Sequence, residues 1–241
     1  MRVKAVIAYD GSVYQGFQKQ KSTDNTVTTA IEKALRALQI DSKITGSGRT
    51  DRGVHATGQV IHFDLPPFWS DLTKLKRTLN RKLEKIAFRD ICSAHHNFHA
   101  RFSAKKRRYR YLFKTKELSV FEKDYLSFYD DAFDTNVLQE ALKFFEGEHD
   151  FRFFHKTGSS VHTTVRTIYK TRYYRYGNHH VITFEANGFL RSQVRMMVEA
   201  AMQCAKGLCS LEKLHHQIEC RGQAVYRLAP AQGLYLAKIS Y

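Results

Sequence analysis

"TVRTIYKTRYYRYGNHHVITFEANGF", residues 164–189, sets a β-branched and aromatic run on either side of Gly177-Asn178. Two such runs joined by two turn residues predict an antiparallel hairpin. Upstream, "DTNVLQEALKFFEG" (134–147) reads as a helix with Asp134 as its cap and Gly147 past its end. Downstream, "RSQVRMMVEAAMQCAKG" (191–207) reads as a helix, "SLEKLHHQIEC" (210–220) as a shorter one and "GLYLAKISY" (233–241) as a closing strand. The first half repeats this style without repeating its sequence. "RVKAVIAYDG" (2–11) predicts a strand ending at the turn that opens "SVYQGFQKQ" (12–20). In "NTVTTAIEKALRALQI" (25–40), Val27, Ile31, Ala34, Leu35 and Leu38 fall on one helical face. "SKITGSG" (42–48) and "GQVIHFDL" (58–65) predict strands on either side of a glycine-rich turn. After Pro66 and Pro67, Ser70 is the expected cap of a helix carrying Leu72, Leu75, Leu79 and Leu83, and "AFRDICSA" (87–94) is a further strand. The order is α+β. A basic run, "RFSAKKRRYRYLFKT" (101–115), joins halves expected at 1–104 and 105–241. Few prolines and no low-complexity linker favour one continuous sheet with a cleft where the halves meet.

Composition narrows the partners. The 241 residues suffice for a sizeable core, and 43% hydrophobic with 13% aromatic content is too high for disorder. No long uncharged apolar run predicts a membrane span, and the opening "MRVKAVIAYDG" has no apolar signal region, so the expected address is the cytoplasm. Four irregularly placed cysteines, Cys92, Cys204, Cys209 and Cys220, fit reduced thiols. A net charge of +16 is the footprint of a polyanionic partner, with nucleic acid ahead of a membrane surface because no basic amphipathic helix with a bulky apolar face is legible.

Three stretches carry candidate chemistry. In "GSGRTDRGVHATGQVIHFD" (46–64) one carboxylate, Asp51, stands between Arg49 and Arg52. Neighbouring guanidinium groups favour an ionised carboxylate, as a nucleophile or a stabiliser of an oxocarbenium ion requires, while an ordinary Asx turn would use the same residue for its backbone alone. No Lys-Ser/Thr pair follows the glycines, so a Walker loop is excluded. In "KKRRYRYLF" (105–113), strand alternation puts Tyr109, Tyr111 and Phe113 on one face and Arg108 and Arg110 on the other. Rings interleaved with cations suit an unpaired base with its phosphates, although a half-buried strand accounts for Phe113 and Tyr111 equally well. In "NGFLRSQVRMMVEA" (187–200), Val194, Met197 and Val198, continued by Ala201, form an apolar face. Arg191 and Arg195 sit near the helix N-terminus, where the macrodipole disfavours cations and an anion is the expected holder. Cys204, Cys209, His215 and His216 lack zinc spacing, so no metal is expected, and His95, His96 and His99 are expected to meet RNA or solvent. A non-catalytic RNA-binding module would need only the charge and aromatics, and a nuclease would want a second carboxylate or a His pair.

In chain order, "YDGSVYQGFQKQ", "GSGRTDRGVHATGQVIHF", "NFHARFSAKKRRYRY", "NGFLRSQVRMMV" and "GLYLAKISY" resemble the TruA-type tRNA pseudouridine synthases over nearly the whole chain. The resemblance implies two ferredoxin-like halves forming one extended, mostly antiparallel sheet with helices on one side. It also implies a central basic cleft with Asp51 at its bottom, a homodimer, and no cofactor or metal. It implies isomerisation of uridine to pseudouridine at positions 38, 39 and 40 of the tRNA anticodon stem-loop. Asp51 corresponds to the family's catalytic aspartate, Arg49 to the arginine of its G-R-T-D motif, Tyr109 to the tyrosine that stacks on the target uracil, Arg195 to the basic partner of the aspartate, and Leu234 to an aliphatic residue near the base. Arg52, Arg108, Arg110 and Arg191 complete the expected tRNA-binding set. A target inside a stem must be flipped out, and an arginine beside the acid can fill the vacated space or hold the flanking phosphates. An ionised carboxylate then stabilises positive charge at a sugar carbon as the bond to the base breaks; attack on the sugar, attack on the base and glycal formation all remain open. "LNRKLEKIAFRDI" (79–91) keeps the family's Asn80 and Leu83 but lacks its proline, and the region after Phe113 is short.

Overall fold

The computed structural model describes residues 1–130, 133–158 and 162–241. In chain order the described residues form β1 (Arg2–Tyr9), α1 (Val27–Arg36), β2 (Thr45–Gly46), β3 (His55–Asp64), α2 (Leu72–Lys82), β4 (Ile86–Ser93), β5 (Lys106–Lys114), β6 (Ser127–Phe128), α3 (Thr135–Lys143), β7 (Gly147–Asp150), β8 (Val165–Tyr176), β9 (His179–Ala186), α4 (Gln193–Ala205), α5 (Leu211–Ile218) and β10 (Leu234–Ser240). This is the α+β mixture expected. Two compact units result, one of Met1–Lys105 with Tyr235–Tyr241, the other of Lys106–Leu234. The units depart from a split at residue 104 because the last strand returns to the first unit and pairs with β3.

In the first unit the strand order is β4-β1-β3-β10, with β2 also on β3. Val3, Ala5, Ile7 and Tyr9 alternate inward along β1, which pairs antiparallel with both neighbours. The parallel pairing is short, Tyr235 opposite His55 and Leu236 opposite Ala56. Strand β3 begins at His55 rather than Gly58 and is buried on both faces, which puts the polar Gln59 and His62 inside. The strand expected over 42–48 shrinks to Thr45–Gly46. On α1, Val27, Ile31, Ala34 and Leu35 are buried as the periodicity requires, but Leu38 lies past the helix end and is half-buried. The cap of α2 is Asp71 and not Ser70: the Asp71 carboxylate accepts from Lys74 N–H at 2.8 Å, and a carboxylate also suits the positive end of the helix dipole. Asn80 ties α2 to β4, donating to the Phe88 carbonyl (3.0 Å) and accepting from its N–H (2.7 Å).

In the second unit the order is β5-β9-β8-β7, with β6 parallel to β5. The hairpin is in the expected register, Tyr176 opposite His179 around Gly177-Asn178. Asp134 caps α3, accepting from Asn136 and Val137 N–H, and the helix runs to Lys143, so that Gly147 lies past its end and opens β7. Thr171 of β8 donates to the Leu142 carbonyl (3.1 Å), fixing α3 on the face that carries Ile182 and Phe184. Helix α4 is buried on nearly every side, from Val194 through Met196, Met197 and Val198 to Ala205, so it is a core helix and not the one-faced helix its charged ends suggest. Among the described residues no helix is long and apolar enough to cross a membrane.

Candidate active site

The Asp51 turn is held in place by buried groups from the strands and loops around it. Thr50 lies buried between two anchors from the opening stretch: the Tyr9 hydroxyl meets Thr50 Oγ1 at 2.9 Å, and Phe17 N–H donates to the Thr50 carbonyl at 3.1 Å. Burial pushes the Tyr9 phenol above its usual value, so this anchor remains a neutral hydroxyl. On the other flank, fully buried Gln59 Nε2 donates to the Gly48 carbonyl at 2.6 Å while its Oε1 accepts from Gly48 N–H (3.4 Å) and Val60 N–H (3.1 Å). Val54 N–H donates to the Asp51 carbonyl (3.1 Å), closing a turn in which Gly53 takes φ +78°. Gly11 lies so close that a Cβ there would stand 2.1 Å from the Val54 carbonyl oxygen, and its N–H donates to His55 Nδ1 at 3.0 Å. The His55 ring stacks on Tyr235, centroids 4.7 Å apart. Asp51 is half-buried, and Arg49 and Arg52 are exposed.

Sequence reasoning misses these supports. The signal is a glutamine inside an apolar run: an uncharged amide buried on both sides must be matched to backbone, and the turn supplies the partners. "YDG" and "QGF" are likewise the braces of the Asp51 turn, although their own sequences point only to a strand end and a turn.

The second unit holds the other candidates. Tyr109, 8% exposed, sits on the helix-covered face of β5 with its ring edge-on to Phe189 at 5.2 Å. Further along that face Tyr111 donates to Ser127 Oγ (2.7 Å), and Tyr129 donates to Glu199 Oε2 (3.0 Å), while Glu199 Oε1 accepts from Gln203 (3.1 Å). Burial raises both phenols, Tyr111 and Tyr129, so they stay protonated. Arg195 lies in the first turn of α4, and the Ala229 carbonyl accepts from its Nε at 2.6 Å. A protein carbonyl therefore takes part of the role expected of an anion. The α4 N-terminus has no side-chain cap from Ser192, whose φ is +60°; Gln193 Oε1 instead accepts from Leu190 N–H at 2.8 Å. Arg191 is exposed, its Nη1 3.4 Å from the Thr157 carbonyl. Leu234 is buried at the start of β10. Arg108 and Arg110 face away from Tyr109, and Arg108 grips Glu185 through Nε (3.0 Å) and Nη2 (2.6 Å), which holds that carboxyl below its usual range.

The histidines of 95–99 build turns. His99 Nδ1 accepts from both Arg101 and Phe102 N–H (3.2 Å each), and His95 Nδ1 from Asn97 N–H (3.3 Å). His62 Nδ1 accepts from Ala100 N–H at 3.1 Å. Burial first, then the neighbouring His99 and Arg2, lowers His62 to about 4.

A braced turn presenting one carboxylate between two arginines, together with a strand of rings and cations, describes an enzyme that acts on RNA. The family model for tRNA pseudouridine synthase matches residues 5–103 and 141–241. Among similar proteins, the tRNA pseudouridine synthase A of Wolinella succinogenes is 40% identical over 98% of this chain and 93% of its own length. That of Helicobacter hepaticus is 39% identical over 99% of this chain and 98% of its own, and that of Campylobacter jejuni 36% over the whole of both. The chain belongs to the tRNA pseudouridine synthase family and is accordingly an isomerase that converts uridine to pseudouridine in tRNA.

Proposed function

We propose that the enzyme modifies uridines 38, 39 and 40 of the anticodon stem-loop, as a cytoplasmic homodimer, with Asp51, Tyr109 and Arg195 as its catalytic set. Asp51 acts at the sugar carbon whose bond to N1 breaks. The freed uracil turns and forms a bond from C5 to the same carbon; the proton on C5 then leaves and N1 gains one, so atoms and charge balance with no redox partner, cofactor or metal. Tyr109 stacks on the flipped ring, gives its phenolic proton to N1 and as phenolate takes the proton from C5, Arg195 supports the carboxylate, and Leu234 packs against the base. Arg49, Arg52 and Arg191 hold the RNA strand near the target, and Arg108 and Arg110, on the opposite face of their sheet from Tyr109, meet the tRNA away from it. The observation that carries this reading is the brace on the Asp51 turn. Buried side chains fix the backbone on both sides of a half-buried carboxylate, as preorganised chemistry needs and a solvated turn does not.

The test is to incubate the protein with unmodified tRNA and no added metal and to map pseudouridines by chemical adduct and primer extension. Asp51→Asn should abolish turnover and leave tRNA binding within about threefold, because the carboxylate serves the transition state and the cations serve affinity. Substantial residual activity in that variant would reduce Asp51 to a turn residue, and stops at other positions would overturn the anticodon-arm assignment.

A further inference from the structure

Strand β8 presents Lys170, Arg172, Tyr174 and Tyr176 on the face of its sheet opposite Thr171, the side on which α3 packs. With Arg108 and Arg110 of β5 and Thr183 and Glu185 of β9, the first three line a depression of about 340 Å3. The register organises it into two rows across three strands. Arg110 and Arg172 both stand opposite Thr183, one on each side, and Arg108 and Lys170 both stand opposite Glu185. The Glu185 row is internally neutralised, because Glu185 already receives Arg108 and Lys106. The Thr183 row contains no carboxylate, and among the described residues no ion pair is found for Arg110, Lys170 or Arg172. Flanking strands place the two arginine Cα atoms about 10 Å apart, so their guanidinium forks and the Thr183 hydroxyl can converge on one phosphate. Beyond them Tyr174 and Tyr176, 41% and 76% exposed, continue the same face as stacking platforms.

We infer that this face is a second RNA-binding surface, which takes the phosphodiester backbone of a tRNA segment remote from the target nucleotide. The sheet separates it from Tyr109, so a nucleotide stacked on that ring cannot also lie here. Fold stability gives no reason to gather four cations around one acid on an open sheet face; a polyanion does. The inference rests on the reading of tRNA as substrate and adds an anchoring point that the isomerisation itself does not require.

The experiment compares full-length unmodified tRNA with its isolated anticodon stem-loop, using Lys170→Gln/Arg172→Gln and, as an equal charge loss elsewhere, the exposed pair Lys116→Gln/Lys123→Gln. The tray variant should bind full-length tRNA about tenfold more weakly, and its log–log salt slope should flatten by about 2, one for each phosphate that the variant no longer neutralises. KM for full-length tRNA should rise while kcat holds, the stem-loop should lose far less affinity, and Arg172→Lys should recover part of the binding. Equal losses in the tray and control variants would overturn the inference, as would equal losses on the two RNAs. Failure of the parent protein to modify either RNA would instead strike at the proposed function, and the binding comparison would still decide the tray.

Discussion

Gln59→Leu tests the brace on the Asp51 turn. The substitution keeps side-chain volume in a site with no solvent exposure but removes the bond to the Gly48 carbonyl (2.6 Å) and the acceptor for Gly48 and Val60 N–H. Each buried polar group left without a partner costs about 1–3 kcal/mol, and Gly48 is only half-buried, so water recovers part of its loss. Leucine offsets about 1–2 kcal/mol through its own burial, which leaves a net destabilisation of about 1–3 kcal/mol. The effect on turnover should be larger than that stability change implies. Freed of Gly48, the backbone leading to Asp51 can shift, and a displacement of about 1 Å at a reacting group costs on the order of 100-fold. Urea unfolding, tRNA binding and kcat at saturating tRNA together decide it: stability down by the stated amount, binding within about twofold, kcat down about 10- to 100-fold. Gln59→Glu keeps the acceptor but sets a carboxylate with no solvent exposure against the Gly48 carbonyl, and should destabilise more than leucine. A leucine variant that loses stability while keeping kcat within about twofold would refute the argument, because the glutamine would then hold β3 and not the turn.

Two further predictions follow from neighbouring geometry. Tyr109→Phe should bind tRNA tightly and release little tritium from C5-labelled substrate, and Tyr109→Leu should lose both, since stacking contributes about 1–3 kcal/mol per base; Tyr111→Phe should turn over nearly normally and lose about 1 kcal/mol of stability with its Ser127 bond. Equal effects at the two tyrosines in both assays would leave only a generic aromatic surface. His62, at about 4 when folded and near 6.5 when unfolded, is neutral in the fold, so the unfolded chain binds the extra proton: stability should be full above about pH 6.5 and decline as pH falls towards 4. His62→Asn, whose Oδ1 can replace Nδ1 as acceptor for Ala100 N–H, should lessen that decline in urea titrations, and an identical pH profile would exclude His62 as its source.

Local sequence carried much of the fold because local physics governs those features. The hairpin at Gly177-Asn178 depends on two turn residues and their flanking runs, and Asp134 caps α3 with groups within three residues of it. The cap of α2 changed because a competing local option lay one residue away: Asp71 took it from Ser70. The stripe read on α4 understated its burial, because a helix in the middle of a unit is covered by neighbours that its own periodicity does not describe.

The candidate site divides along the same line. Residue types and spacing alone marked Asp51 with its flanking arginines, the ring-and-cation strand around Tyr109, and the basic start of α4, because charge and aromatic character are properties of the side chains themselves. What those side chains do depends on groups far away in sequence. Tyr9 and Gln59 become braces only when β1 and β3 lie side by side and the turn folds over them. Arg108 becomes the partner of Glu185 only in the β5–β9 register, and Arg110 gains Arg172 as companion only when β8 joins on the far side of Thr183. Hydrogen bonds and ion pairs form over about 3 Å, a range at which sequence separation has no meaning and only the packed chain decides which groups meet.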